Sequence, residues 1–205
     1  SPLAGLGMHD DDGKKSVQGG GSITGIGVVA GKRVLVSASD SAVKGGTVAP
    51  MGLKKALRAQ EILADRFYVL ADVWSATSYK LLRNEALNVQ RWNMLHPAEP
   101  RRVSYVEEIL KTEMGPFVAV SDYMKLVPDQ IAPWVPGGLT TLGTDGFGRS
   151  DTRPALRRFF EIDAESIVLG TLYALAGRGE YEQSAVAKAI AELGIDPEKA
   201  FPVIV

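Results

Sequence analysis

A chain of 205 residues, 45% hydrophobic and 23% charged, can bury one substantial core or two small ones. Its 23 Lys and Arg balance 24 Asp and Glu to a net charge of −1, so no global field draws it to nucleic acid or to an acidic membrane. With no Cys, it has no disulfide, thiolate nucleophile or Cys-ligated metal, which fits a reducing, cytoplasmic setting; two His leave little material for a His-rich metal site or a Ser-His-Asp triad.

No apolar run approaches the roughly 20 residues that a membrane helix needs. Residues 8–22 carry His9, Asp10, Asp11 and Asp12 and then Gly19, Gly20 and Gly21, a polar stretch that reads as a mobile loop. Its acidic run lacks the spacing of a calcium loop and is expected to be solvated, so no metal is implied. Residues 23–29 and 32–37 are β-branched runs around Ala30-Gly31, the pattern of a hairpin. A Gly-rich break leads to a helix over 53–64, with Leu53, Ala56, Leu57, Gln60 and Ala64 on one face. Residues 67–73 read as a buried strand, and 78–92 as a helix with Leu81, Leu82, Glu85 and Val89 in register. Strands are expected at 117–121 and 139–143, with a Pro-punctuated helix at 126–135 between them. Three helices follow, over 152–159, 164–176 and 182–193; Ser150 or Asp151 is expected to cap the first, and Gly194 ends the last. This alternation predicts an α/β fold, a mostly parallel sheet with helices on both faces.

Two segments have the residue types of an anion site. Lys44, Gly45 and Gly46 lie between a strand and a helix, where free backbone N–H groups gather, but neither the Walker spacing nor a Gly-x-Gly-x-x-Gly after a strand is present. A phosphate or CoA contact and a plain turn both explain them, and the plain turn is preferred. Residues 144–153 join the carboxyl end of a strand to a helix N-terminus, the position at which open α/β sheets bind ligands. Arg149 and Arg153 are the anion-binding candidates there, although turning and capping explain the same residues and are preferred. Trp74, Trp92 and Trp134 read as packing anchors, and His96, in a turn before Pro97, has no His or Cys neighbour in sequence. No catalytic residue is assigned.

From about residue 71 onward the chain resembles the C-terminal domain of the homodimeric pyruvate dehydrogenase E1 component. The motifs are Ala71-Asp72-Val73-Trp74-Ser75-Ala76-Thr77-Ser78, Arg91-Trp92-Asn93-Met94-Leu95-His96-Pro97, Val120-Ser121-Asp122-Tyr123-Met124-Lys125-Leu126-Val127-Pro128 and Leu142-Gly143-Thr144-Asp145-Gly146-Phe147-Gly148-Arg149-Ser150-Asp151. The resemblance implies a transketolase C-terminal-like fold and a parent reaction, the thiamine-diphosphate- and magnesium-dependent oxidative decarboxylation of pyruvate. Residues 1–65 are similar instead to the crotonase-like carboxyltransferase β subunit of biotin-dependent acyl-CoA carboxylases, through Gly21-Ser22-Ile23-Thr24-Gly25-Ile26-Gly27, Ser39-Asp40-Ser41-Ala42-Val43-Lys44-Gly45-Gly46-Thr47 and Leu53-Lys54-Lys55-Ala56-Leu57. That likeness implies an acyl-CoA lying against Lys44, Gly45 and Gly46, with a biotin-linked carboxyl group in the parent reaction.

The expectation is therefore a hybrid: a carboxyltransferase-like segment over 1–65, with its β-hairpin, and an E1 C-terminal-like domain over 66–205, joined between Leu57 and Ala71. Neither the Gly-Asp-Gly motif that binds magnesium and thiamine diphosphate nor the carboxyltransferase oxyanion loops occur, so no cofactor site is complete. The expected role is structural and dimer-supporting; the alternatives are a partial carboxyltransferase that binds acyl-CoA and an accessory docking module of a dehydrogenase complex. A homo-oligomer is expected, with other subunits of a 2-oxoacid dehydrogenase or acyl-CoA carboxylase complex as further partners.

Overall fold

The computed structural model describes residues 22–29, 32–39, 50–74, 76, 78–113 and 115–204, with side chains from residue 54 onward. The elements in chain order are β1 (Ser22–Val29), β2 (Lys32–Ser39), α1 (Pro50–Phe67), β3 (Asp72–Trp74), α2 (Tyr79–Leu95), α3 (Tyr105–Leu110), β4 (Phe117–Ser121), α4 (Leu126–Asp129), a 3-10 turn (Ala132–Trp134), β5 (Leu139–Leu142), α5 (Arg153–Phe159), α6 (Ala164–Gly177) and α7 (Gln183–Glu192). The strands form one sheet in the order β2-β3-β1-β4-β5, with β1 also bonded to β2. β2 and β3 are parallel, as are β4 and β5, each pair joined through helix. β1 runs antiparallel to β2, β3 and β4, so the sheet expected to be mostly parallel is parallel in these two pairs only. Its direction follows from the hairpin, in which Val29 faces Lys32 across a two-residue connection too short for a parallel return.

β4 shows how the two faces are filled. All five of its residues are buried, and because successive side chains point to opposite faces, Val118 and Val120 enter one core while Phe117 enters another. The first core takes Ala59 and Leu63 from α1, Ile167, Leu172 and Leu175 from α6, and Val186 from α7. The second takes Tyr79, Val106, Leu110, Ile131 and Val135. Leu142 and Val73 pack against the first and Leu139 and Trp74 against the second, the same alternation on two further strands. Helices thus cover both faces, as the sequence pattern predicts. α6 is apolar almost all round, and Asp163 caps it by accepting a hydrogen bond from the Ser166 N–H at 2.8 Å.

Several expectations need correction. The buried stripe of α1 is Ala56, Ala59, Ile62, Leu63 and Phe67, rotated from the expected face, and Leu57 is exposed. The strand expected over 67–73 shrinks to Asp72–Trp74, because α1 continues to Phe67 and Tyr68 takes a left-handed conformation (φ 55°). The Val69 N–H then bonds back to the Leu63 carbonyl at 2.9 Å and closes the helix end. On α2 the buried residues are Tyr79 and Ala86, and Leu81 points to solvent. α3 was not anticipated, although Ser104 and Glu107 form a capping box at its start. The Pro-punctuated helix divides into α4 and the 3-10 turn. Thr152, rather than Ser150 or Asp151, is the N-cap of α5, and the Asp151 carboxylate instead accepts the Thr152 N–H at 2.6 Å. Trp74 and Trp134 anchor packing as expected, whereas Trp92 lies in a stack with the His96 ring at 4.5 Å and the Arg102 guanidinium at 3.6 Å.

The two helix faces make a direct comparison. Leu63→Ala should lower stability by about 2–5 kcal/mol in urea unfolding, whereas Leu81→Ala should stay within about 0.5 kcal/mol.

Candidate functional site

The chain's polar centre forms where β4 ends. Asp122, the first residue beyond the strand, has a side chain only 5% exposed; Lys55 Nζ on α1 donates to its Oδ1 at 2.6 Å and Arg157 Nη2 on α5 to its Oδ2 at 3.3 Å. Burial works against the Asp122 charge, but the Lys55 and Arg157 charges outweigh it and hold the carboxyl below its usual range. For Lys55, burial is the largest influence and lowers its pKa; Asp122 opposes this and Arg157 adds to it. Three elements therefore meet on one carboxylate. The flanking loop is tied to the turn after β5: the Thr144 N–H bonds the Tyr123 carbonyl at 2.9 Å and the Lys125 N–H bonds Asp145 Oδ1 at 3.1 Å. Gly143 is required here, because a Cβ would lie 2.6 Å from both the Lys125 nitrogen and the Tyr123 oxygen.

Beside this triad a groove of about 680 Å³ opens, lined by Lys55, Arg153, Arg157, Arg158, Asp163 and Glu165 together with the end of α7. Arg158 bonds Asp163 at 3.0 Å and donates to the carbonyls of Leu193 and Gly194, closing the C-terminal end of α7. Lys199 Nζ donates to the Phe159 carbonyl at 2.6 Å and so closes α5 in the same way.

Of the anion-binding candidates, Arg153 lines the groove, at the first position of α5. Arg149 does not; it is exposed, with its guanidinium 4.0 Å from the Phe159 ring centroid. The two are not brought together in this groove. Lys44, Gly45 and Gly46 lie outside the described residues, as do His9 and the acidic run. Among the described residues no group of three or more His, Asp and Glu stands together to hold a metal. The sequence reading missed Lys55, Asp122 and Arg157 as a unit. Two signals were available: an aspartate directly following an apolar strand, and a lysine adjoining the apolar stripe of a helix.

Asp122→Asn leaves two cations with no carboxylate between them and should cost about 3–5 kcal/mol. Because the folded pKa of Asp122 lies below its unfolded value, its contribution is complete above the ordinary carboxylate range and is lost as pH falls through the folded value. Urea melts between pH 7 and pH 3 should show a smaller loss of stability on acidification in the Asn variant than in the wild type.

Comparison with known proteins adds two family matches, a transketolase-like TK C-terminal domain over residues 51–163 and a carboxyl transferase domain over residues 3–89. Among curated relatives, the pyruvate dehydrogenase E1 component of Pseudomonas aeruginosa is 51% identical over 151 residues, covering 73% of this chain and 17% of that protein. Those of Mycolicibacterium smegmatis and Escherichia coli are 47% and 45% identical, covering 73% of this chain in each case and 16% and 17% of the relative. The chain thus spans about a sixth of the length of these relatives. Among the described residues, no helix is long and apolar enough to cross a membrane. With over half its length matched, and with an α/β sheet covered by helices on both faces, the chain belongs to the transketolase-like TK C-terminal domain family.

Proposed function

We propose that this chain serves as the C-terminal scaffold domain of a cytoplasmic, pyruvate dehydrogenase E1-type protein, supporting association between copies and holding no complete active site of its own. The observation that carries this reading is the occupation of the polar groups at the carboxyl edge of the sheet. Asp122 joins α1 to α5, Asp145 fixes the loop after β4, and Asp163 caps α6 while it pairs with Arg158. These are bonds within the fold.

The parent reaction would use thiamine diphosphate and magnesium, and the described residues do not fit that pair. Magnesium takes clustered carboxylate and carbonyl oxygens, whereas Asp122 is held by two cations. No step through the cofactor is assigned to this chain. In this reading α1, which runs across the expected junction, takes the place of the first helix of the domain, because it shares a core with α6, α7 and β4. Association is supported by an apolar surface: Tyr123, Leu126, Phe147, Phe201 and Ile204 are all at least half exposed, on segments joined by the close approach of Gly146 to Pro202. Other subunits of a 2-oxoacid dehydrogenase complex are the further partners in this reading.

A second reading, a partial carboxyltransferase that binds acyl-CoA at Lys44, Gly45 and Gly46, is favoured by the match over residues 3–89. Calorimetric titration of the purified chain separates the two. The scaffold reading expects no pyruvate decarboxylation with thiamine diphosphate and magnesium, no heat with acetyl-CoA, and a dimeric or larger mass by light scattering at high micromolar concentration. Turnover of pyruvate or a monomeric mass would overturn it, and saturable acetyl-CoA binding abolished by Lys44→Ala would establish the second reading.

A further inference from the structure

Two exposed apolar surfaces stand out among the described residues. On α2, Leu81, Met94 and Leu95 point to solvent, but they alternate with exposed Asn84, Asn88 and Arg91. The other surface lies at the carboxyl edge of the parallel pair β4 and β5, where three segments converge. Residues 123–126 follow β4, residues 143–147 follow β5, and residues 201–204 return from beyond α7. These segments touch. A Cβ on Gly146 would lie 2.5 Å from the Pro202 carbonyl oxygen, the Lys125 ammonium stands 5.7 Å from the centre of the Phe201 ring, and the Lys125 N–H bonds the Asp145 carboxylate.

Tyr123, Leu126, Phe147, Phe201 and Ile204 are each at least half exposed, with Phe147 at 79% and Ile204 at 77%. Together they offer on the order of 700 Å², above the largest apolar patch of a typical monomer and close to the roughly 800 Å² that each partner gives to an interface of standard size. Three of the five are aromatic, the residue type enriched at interface centres. The three segments hold one cation and one acid, Lys125 and Asp145, so two copies brought face to face meet no net like charge.

We propose that this carboxyl edge is the face through which two copies of the chain pair about a two-fold axis, with Phe147, the most exposed of the three aromatics, as its chief anchor. This pairing, which rests on the association between copies proposed above, closes at the dimer because the same five side chains serve both copies.

Light scattering and sedimentation of the purified chain across the micromolar range test the surface. Wild type is expected as a dimer. Phe147→Asp should weaken that dimer by about thirtyfold or more, while Leu81→Asp on α2 should leave it unchanged. Because the Phe147 side chain is turned to solvent in the single copy, the variant should keep the wild-type circular dichroism. Should Phe147→Asp fail to fold, Ile204→Asp takes its place with the same expectation. A dimer undiminished in the folded variant, or one dissociated by Leu81→Asp, would overturn the location and leave association between copies standing. A mass beyond the dimer would overturn the two-fold arrangement. A monomeric wild type would overturn both the location and the association, and would assign the surface to a different polypeptide.

Discussion

The arrangement of this domain depends on one carboxylate. Asp122 stands at the end of β4, a strand buried at every residue, and is out of reach of bulk water, so it needs compensating charge from within the fold. Lys55 supplies it from α1 and Arg157 from α5, two helices far apart in the chain. Apolar packing alone leaves helices free to slide by small amounts on a sheet; a buried ion cluster with fixed donor geometry removes that freedom. The charged centre thus sets where α1 and α5 sit, and the groove beside it inherits its shape from them.

Two interlocked layers follow from the strand pattern. In β4 the alternation of Phe117 with Val118 and Val120 assigns each side chain to its own core, and β5 and β3 repeat the assignment with Leu139 and Leu142 and with Trp74 and Val73. The sheet is only partly parallel because β1 returns from a hairpin, yet β4 and β5 keep the parallel geometry that places their loops at the same edge. Those loops are tied by Asp145 and Thr144, so the edge carrying Asp122 is held from two directions.

Much of this was legible in the sequence. The strands at β4 and β5 and the helices α5, α6 and α7 follow from apolar runs, apolar periodicity and Gly punctuation, and the motifs around Asp122 and Asp145 carry the family resemblance without assistance from the structure. What escaped was context-dependent. The face of α1 was misjudged because Leu57 looked like a core residue, while Ala56, Ala59 and Leu63 were the ones facing the sheet. Tyr68 ended α1 in a left-handed conformation that a bulky side chain rarely adopts, and an apolar stretch that read as strand was in part the helix end. The ion triad joins residues 55, 122 and 157, and no local spacing rule spans such separations. α3 is a different case, since its capping box, Ser104 with Glu107, is a local signal in the sequence.

The deep burial of one side of α6 has a consequence for how the domain breathes. A helix with Ile167, Val168, Leu172 and Leu175 fully enclosed cannot expose its amides without dismantling the first core, so its backbone protons exchange only through global opening. α2, with Leu81, Met94 and Leu95 turned to solvent, has much less packing to break. Its amides exchange through partial openings that leave α6 intact, so the two faces of one sheet relax on different timescales.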